Sequence, residues 1–418
     1  MSKPSTAILH YAAPPVIGGV EGVIEAHCQT FNQFGFPVAV IAGRGAANAL
    51  ADGTEFFHFP EMDTQHPRVL EISASLEQGQ VPENFETFTQ ELKTKLAPIL
   101  KTYDNLIVHN VFTKHFNIPL TAALFELVVD GSIRNCIAWC HDFTWTSPNS
   151  RPKVHKGYPW DLLRMFDPRI SYVTVSQDRQ DTLAKLFNCP LESVKVIYNG
   201  VDPQILLGLS VEGYQLIQRL DLLDSELTLL MPVRVTQAKN IEYALQLLAE
   251  LKAKGIRPKL IHTGPPDPHN HTSMAYFQSL QDHRRALGLE QEMQFVFESG
   301  PAPDQPYEIA LNVVGDLYRI CDVMLMPSHR EGFGMPVLEA GLAGIPAICT
   351  PQVPAAIEIG GDDVIVFDPS LDPAILADQI IHWMQTNPQF RLRQRVRRKY
   401  TWEAIFQQEI LPLIKGPV

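Results

Sequence analysis

Chemistry first suggests itself in the stretch SHREGFGMPVLEAG, Ser328 to Gly341, which sets Glu331 and Glu339 eight positions apart around glycines and a proline. Two carboxylates invite an acid/base reading of the kind glycoside hydrolases use. On one continuous helix they would lie about 80° apart, loosely on one face. Gly332, Gly334 and Pro336 argue against such a helix. Pro336 suits a first helical turn, so the spacing predicts a helix from near Met335, with Glu331 in the loop ahead of it. The amides of Gly332, Phe333 and Gly334 then stand at a helix N-terminus, where anions are favoured. Carboxylates accept hydrogen bonds, and a sugar hydroxyl or a ribose diol donates them. The stretch therefore fits a ligand that carries phosphate between two hydroxyl-rich ends.

Three further stretches could complete such a site. In VRVTQAKN, Arg234 and Lys239 flank a strand-to-helix turn and could converge on one phosphate, Arg bidentately and Lys as a point charge. A helix starting near Asn240 would add its positive end. In VIGGVEG, Gly18 and Gly19 let backbone amides approach an anion, although a plain turn is the other reading. The spacing is not GxGxxG, which removes a nicotinamide oxidoreductase from contention. In CHDF, His141 follows an apolar strand. A neutral imidazole there could donate to a substrate hydroxyl or a developing oxyanion, with Asp142 nearby to orient a partner, or could simply cap the next element. No second histidine stands at ligand spacing, so no metal is expected.

The elements that must position these residues alternate short apolar strands with helical stretches, an α/β pattern of parallel sheets covered by helices. Strand-like runs include STAILHYA, FPVAVIAG, DNLIVHN, RNCIAWCHD and YVTVS, and later LTLLMPVRV, RPKLIHTG, MQFVFES, DVMLMPS, PAICT and DVIVFDP. The pattern lapses near residues 203–222, which divides the 418 residues into two similar halves. Open parallel sheets bind ligands at the carboxyl ends of their strands, so a cleft between the halves is expected. A formal charge of −12 disfavours nucleic acid as a partner and leaves phosphate recognition to a few placed cations. The six cysteines are scattered without CxxC spacing and read as reduced core thiols. The N-terminal run is too short for a signal peptide and no apolar run reaches about 18 residues, so a cytoplasmic protein is expected.

The stretch PSHREGFGMPVLEAGLAGIPAIC resembles the signature of the family 4 glycosyltransferases, retaining nucleotide-sugar enzymes of GT-B fold. PPVIGGVEGVIEAH, AWCHDF, VIYNGVD, VRVTQAKNIEYAL and DLYRICDVMLMPS stand in the order that family uses. The resemblance implies two Rossmann-like domains facing a cleft: an acceptor-binding one over 1–205, a donor-binding one over 206–398, and a C-terminal helix over 399–418 returning to the first. It implies that Glu331 contacts the donor sugar, with the amides of Gly332, Phe333 and Gly334 beside it, and that Glu339 accepts from the ribose. Arg234 and Lys239 would neutralise the diphosphate, Gly18 and Gly19 would close over it, and His141 would lie near the reacting sugar. The implied reaction is front-face displacement from a nucleotide diphosphate sugar of the UDP-glucose or GDP-mannose type, with no obligatory metal or cofactor. A non-catalytic nucleotide-sugar sensor is the alternative. Two departures are Val233 where many members have glycine, and Ile357 rather than proline before Glu358. The acceptor is expected to be a saccharide or small polar molecule, met by Trp145, Tyr158 and Trp160 if these present their faces rather than forming an ordinary loop cluster. The basic run from Arg391 to Lys399 reads as a solvated helix face, with peripheral contact to anionic lipid as the other reading.

Overall fold

The computed structural model describes residues 3–266, 271–302 and 305–415. Strands buried on both faces read as unbroken apolar runs, and this chain gathers its runs into two all-parallel sheets. One compact unit holds the residues up to Val201 and those from Tyr400 onward; the other holds Asp202–Lys399.

The first unit's sheet contains β1 (Thr6–Ala12), β2 (Val38–Arg44), β3 (Glu55–His58), β4 (Asn105–His109), β5 (Cys136–Cys140), β6 (Ile170–Thr174) and β7 (Val194–Val196), in the order β3-β2-β1-β4-β5-β6-β7. Every residue of β1 is buried, and the pleat sends alternate side chains to two cores. Ala7, Leu9 and Tyr11 join the apolar faces of the helices Asn84–Leu100 and Ile118–Val129, while Ile8 joins Ile24, Phe31 and Phe406. Phe406 belongs to the terminal helical segment from Trp402, which packs on the helix Gly19–Gln33; its ring stacks on Phe34 with centroids 4.9 Å apart. The two passages of the chain lie side by side, the Val201 amide donating to the Tyr400 carbonyl at 2.8 Å. The edge strand β3 and the helices Pro67–Glu77, Asn84–Leu100 and Ile118–Val129 have no counterpart in the sequence reading.

The second unit's sheet contains β8 (Leu227–Met231), β9 (Pro258–His262), β10 (Met293–Phe295), β11 (Val323–Met326), β12 (Ala347–Cys349) and β13 (Ile365–Val366), in the order β10-β9-β8-β11-β12-β13. The edge strands are shorter than MQFVFES and DVIVFDP suggest: β10 gives way to a 3-10 turn over Val296–Glu298, and β13 keeps two paired residues. An edge strand has a ladder on one side alone, so less holds its ends straight.

The solvated reading of the basic run needs correcting at one position, Arg397, which is buried. On the helix Pro388–Lys399, Arg397 is 6% exposed and pairs with the buried Asp322 at 3.2 Å, while also donating to the Ser225 carbonyl at 3.0 Å. Arg393 donates to the Arg319 carbonyl and Arg398 to Glu226. Arg391, Arg395 and Lys399 remain exposed. Among the described residues no helix is long and apolar enough to cross a membrane.

Candidate functional site

In the second sheet the order of connection reverses between β8 and β11, the kind of point at which open parallel sheets bind ligands. The loops leaving these two strands are tied together, the Ala238 carbonyl accepting from the amides of His329 at 2.8 Å and Arg330 at 3.4 Å. Lys239 ends a 3-10 turn over Gln237–Lys239, and Asn240, with φ +50°, turns the chain into the helix Ile241–Ala253. That register delivers the Lys239 ammonium to the Glu331 carboxylate, and both side chains are 16% exposed. Arg234 and Arg330 are exposed, and neither has a hydrogen bond or ion pair from its side chain among the described residues. A cavity of about 690 Å³ is lined by Arg234, Lys239, Arg330, Glu331 and the turn from Gly332 to Pro336. The structure thus brings Arg234, Lys239, Glu331, Gly332, Phe333 and Gly334 to one opening in a chain of net negative charge.

The turn itself requires glycine. Gly334 has φ +103°, and a Cβ there would fall 2.4 Å from Val353 Cγ1. The Ala355 amide donates to the Phe333 carbonyl at 2.8 Å and holds the turn against the sheet. The helix then runs Met335–Ala343 with Pro336 in its first turn, as the spacing predicts. Glu339 lies beyond that first turn, so favourable contact with the helix dipole does not explain it. Its Oε2 instead accepts from the Tyr318 hydroxyl at 2.7 Å, which leaves Oε1 to other partners. Burial, and then the carboxylate, push the Tyr318 phenol well above its ordinary range. Tyr318 was not anticipated, because nothing in DLYRIC marks it as different from a core residue. Val233 is buried and is not among the residues of positive φ; the close approach here falls on Gly264, whose Cβ would meet the Val233 carbonyl at 2.2 Å. Glu358 is exposed on a π-helical turn over Ala356–Gly360.

In the first unit the reversal falls between β1 and β4. Gly18 is the extended N-cap and Gly19 the first residue of the helix, so the second glycine of VIGGVEG is helical rather than loop. The Glu21 carboxylate folds back over Gly18, where a Cβ would be 2.1 Å from its Oε2. Glu21 Oε1 lies 4.0 Å from His10 Nε2, and His10 Nδ1 is 2.9 Å from the His109 carbonyl. At the end of β5, His141 Nε2 is 3.1 Å from His109 Nδ1. Asn110, with φ +61°, accepts at Oδ1 from the amides of His141 at 2.8 Å and Asp142 at 3.2 Å. The Asp142 carboxylate faces Arg179 at 3.6 Å. His27 lies behind, its ring 5.5 Å from His109. Burial lowers His10 and His141 to about 4 and His27 to about 3, and holds His109 well below its usual value. The imidazoles are therefore neutral at pH 7. His10 and His27 escape sequence reading because each sits mid-element in an apolar pattern. Among the described residues no group of three or more His, Cys, Asp or Glu side chains is arranged to hold a metal ion.

The aromatic residues after His141 do not form a stacking platform. Trp145 and Trp160 are 8% and 4% exposed, and Trp145 Nε1 donates to the Trp160 carbonyl at 3.2 Å. The guanidiniums of Arg164 and Arg151 cover the Trp145 ring at 4.1 and 4.5 Å. Tyr158 alone of the three is exposed, its hydroxyl donating to Glu86 at 3.0 Å.

Comparison with known proteins bears on both halves. Residues 215–400 match the family described as Glycosyl transferases group 1, and residues 17–205 match Glycosyltransferase Family 4. An uncharacterized glycosyltransferase of Methanocaldococcus jannaschii is 30% identical over 42% of this chain and 41% of its own length. The mannosylglucosylglycerate synthase of Petrotoga mobilis is 24% identical over 59% of each chain. The chain thus spans well under two thirds of the length of these curated relatives. Among solved structures, an Anabaena protein, HepE, in complex with UDP is 18% identical over 97% of this chain and 98% of its own, with a TM-score of 0.34.

Proposed function

The chain belongs to the glycosyltransferases of group 1 and family 4 type, in the GT-B class, and from that premise we propose that it transfers a hexose from a nucleotide diphosphate sugar. The donor is of the UDP-glucose or GDP-mannose type, and the acceptor is a hydroxyl of a saccharide or small polar molecule. One observation carries the reading: Lys239 and Glu331 meet at the switch point of the second sheet, on a cavity also lined by Arg234, which has no ion pair among the described residues.

The reaction proposed is the front-face displacement that the resemblance to the family 4 enzymes implies. The acceptor oxygen attacks the anomeric carbon from the face the leaving group departs, the bond from that carbon to the phosphate oxygen breaks, and the configuration is retained. Negative charge grows on the departing diphosphate, and preorganised cations lower the barrier to its departure. Lys239 carries three donors, of which Glu331 occupies one. Arg234 offers a bidentate fork to the same phosphates. The amides of Gly332, Phe333 and Gly334 and the helix that follows add their partial positive charge. Glu331 accepts from the sugar hydroxyls and Glu339 from the ribose. In the first unit the resemblance assigns Gly18 and Gly19 to approach of a phosphate and neutral His141 to donation to a sugar hydroxyl. The departing phosphate takes the acceptor proton, so neither a protein base nor a metal or other cofactor is required.

The test is thermal stabilisation by UDP, GDP, ADP and their sugars. A ligand present at about 100 times its dissociation constant adds about 2.7 kcal/mol to apparent stability. Selective stabilisation by one base family, abolished in Lys239→Ala, is expected. Stabilisation by none of them overturns the reading, and stabilisation without release of nucleoside diphosphate across an acceptor panel leaves a sensor.

A further inference from the structure

His141 and His109 share one hydrogen bond, and the surroundings decide which ring supplies the proton. The contact runs between His141 Nε2 and His109 Nδ1 at 3.1 Å, with the rings stacked at 21°. Two arrangements of neutral rings satisfy it. In one, His109 Nδ1–H donates and His109 Nε2 is a bare lone pair. In the other, His141 Nε2–H donates and His109 must carry its own proton on Nε2.

The far nitrogen separates them. His109 is 0% exposed, and its Nε2 has no hydrogen-bond partner among the described residues. Its ring neighbours are Trp139, His27, His10 and His141 itself. A buried N–H without an acceptor is rarer in folded proteins than an under-used acceptor. The arrangement that leaves a lone pair rather than an N–H in that pocket is favoured. Burial holds both rings neutral, so a doubly protonated imidazole does not compete.

We propose that His109 is a positioning residue that fixes His141 as its Nδ1–H tautomer, so that His141 presents a donor rather than an acceptor to a ligand. Two backbone features hold the pair in place. Asn110 anchors the His141 amide through its Oδ1, and His10 Nδ1 reaches the His109 carbonyl, which fixes the end of β4. The proposal rests on the reading of His141 as a donor to a sugar hydroxyl, since the opposite tautomer would leave Nδ1 able only to accept.

The experiment is two-bond proton–nitrogen correlation on the full chain labelled with ¹⁵N-histidine, resonances being assigned by His109→Gln and His141→Ala. We expect Nδ1 of His141 to carry the proton and its Nε2 to show the shift of a hydrogen-bonded acceptor. His109→Gln, whose amide can still donate, keeps that pattern. His109→Phe removes the donor and lets His141 populate both tautomers. Turnover of whichever of UDP-glucose and GDP-mannose is used falls on the order of 10-fold in the Phe variant, with KM for the donor little changed, as loss of a partner that orients a working histidine does. Nε2–H on His141 of the unaltered protein overturns the proposal even if neither variant folds. Unchanged turnover in His141→Ala alongside an Nδ1–H tautomer sinks the reading of His141 and leaves the tautomer assignment standing.

Discussion

The two sheets reverse connection in the same way and dress the reversal with opposite chemistry. At the ends of β8 and β11 stand Arg234, Lys239, Arg330 and Glu331, permanent charges that keep some solvent contact. At the ends of β1 and β4 stand the buried His10, His109 and Asn110, with the half-buried His141 just after β5, and the three imidazoles are uncharged at pH 7. The difference follows from what each side chain can do when water is withdrawn. Arginine and lysine cannot shed their charge cheaply, so a site that needs fixed charge must stay open or supply a counter-ion. Imidazole tolerates burial by giving up its proton, and the neutral ring still donates from one nitrogen and accepts at the other. One fold thus provides an edge of fixed charge and an edge of neutral hydrogen-bonding groups.

The sharpest way to break this contrast is to expose what a truly buried charge costs. Asp322 is 2% exposed and accepts from the Thr228 amide at 2.8 Å and from Gln394 at 2.9 Å, besides pairing with Arg397. Asp322→Ala strands the Arg397 guanidinium and should cost about 3–5 kcal/mol. Hydrogen exchange in β8 and β11 reads that loss directly, and a change under about 1 kcal/mol would show the pair to be dispensable. Next in size is the open edge. Lys239→Ala should lower turnover by about 10²–10³-fold, the scale of losing one preorganised donor to developing charge. Adding Glu331→Ala should cost less than the two single losses together, because each residue is the other's partner.

Much of this contrast was legible before folding, and the illegible part has a common physical cause. Parallel strands announce themselves as apolar runs, and Gly332, Gly334 and Pro336 fixed the start of the helix at Met335 by backbone constraints that sequence states openly. Among the cavity's other lining residues, Arg234 and Lys239 stood out because two cations flanking a strand-to-helix turn could converge on one phosphate. Of the histidine cluster, His141 stood out after its apolar strand, whereas His10 and His27 were hidden: they become meaningful once β1 and its helix bring them towards His109, and no local spacing records that. Tyr318 was hidden for the same reason, 21 residues from Glu339 with a helix end, a strand and a loop between. The tryptophans misled in the other direction. Trp145 and Trp160 have the residue type of a sugar platform, but burial and the covering arginines were invisible in the string. The same held for Arg397, where a basic run looked solvated until Asp322 appeared beneath it.

Acid should separate the two units. His10, His27, His109, His115 and His141 of the first unit are all lowered by burial, whereas in the second the comparable histidine among the described residues is His262, lowered to about 3. Below the unfolded value of 6.5 the unfolded chain binds protons that the folded rings refuse, so stability is full above pH 6.5 and falls as pH falls towards 4 and 3. Each such histidine contributes a slope of about 1.4 kcal/mol per pH unit in that window. The first sheet should therefore lose hydrogen-exchange protection before the second between pH 6.5 and 5. His27 offers the cleanest variant, because both its nitrogens are buried with no hydrogen-bond partner among the described residues. His27→Leu should be close to neutral at pH 7 and should melt above the parent at pH 5, since an unpartnered polar group is removed along with its titration. Equal slopes for the two proteins would place His27 in solvent or on a partner.

The smallest effect tests the least obvious member of the charged edge. Tyr318 is 4% exposed, and its hydroxyl gives a hydrogen bond to one oxygen of Glu339, with the Pro336 carbonyl 3.5 Å away. If Glu339 holds a ribose diol with its other oxygen, Tyr318 fixes the angle at which that oxygen is presented and has no part in the reacting bonds. Tyr318→Phe keeps the ring and its packing and removes the hydroxyl alone. Ribose contacts are the same in the ground and transition states, so their loss should raise KM for the donor about 3–10-fold and leave kcat unchanged. Loss of a hydrogen bond to a charged group also costs about 1.5–3 kcal/mol when the carboxylate cannot find water; at the half-buried Glu339 it can, so stability should change by less. A fall in kcat with KM unaltered would move Glu339 from the ribose to the reacting sugar, and with it the division of labour between the two glutamates of the turn.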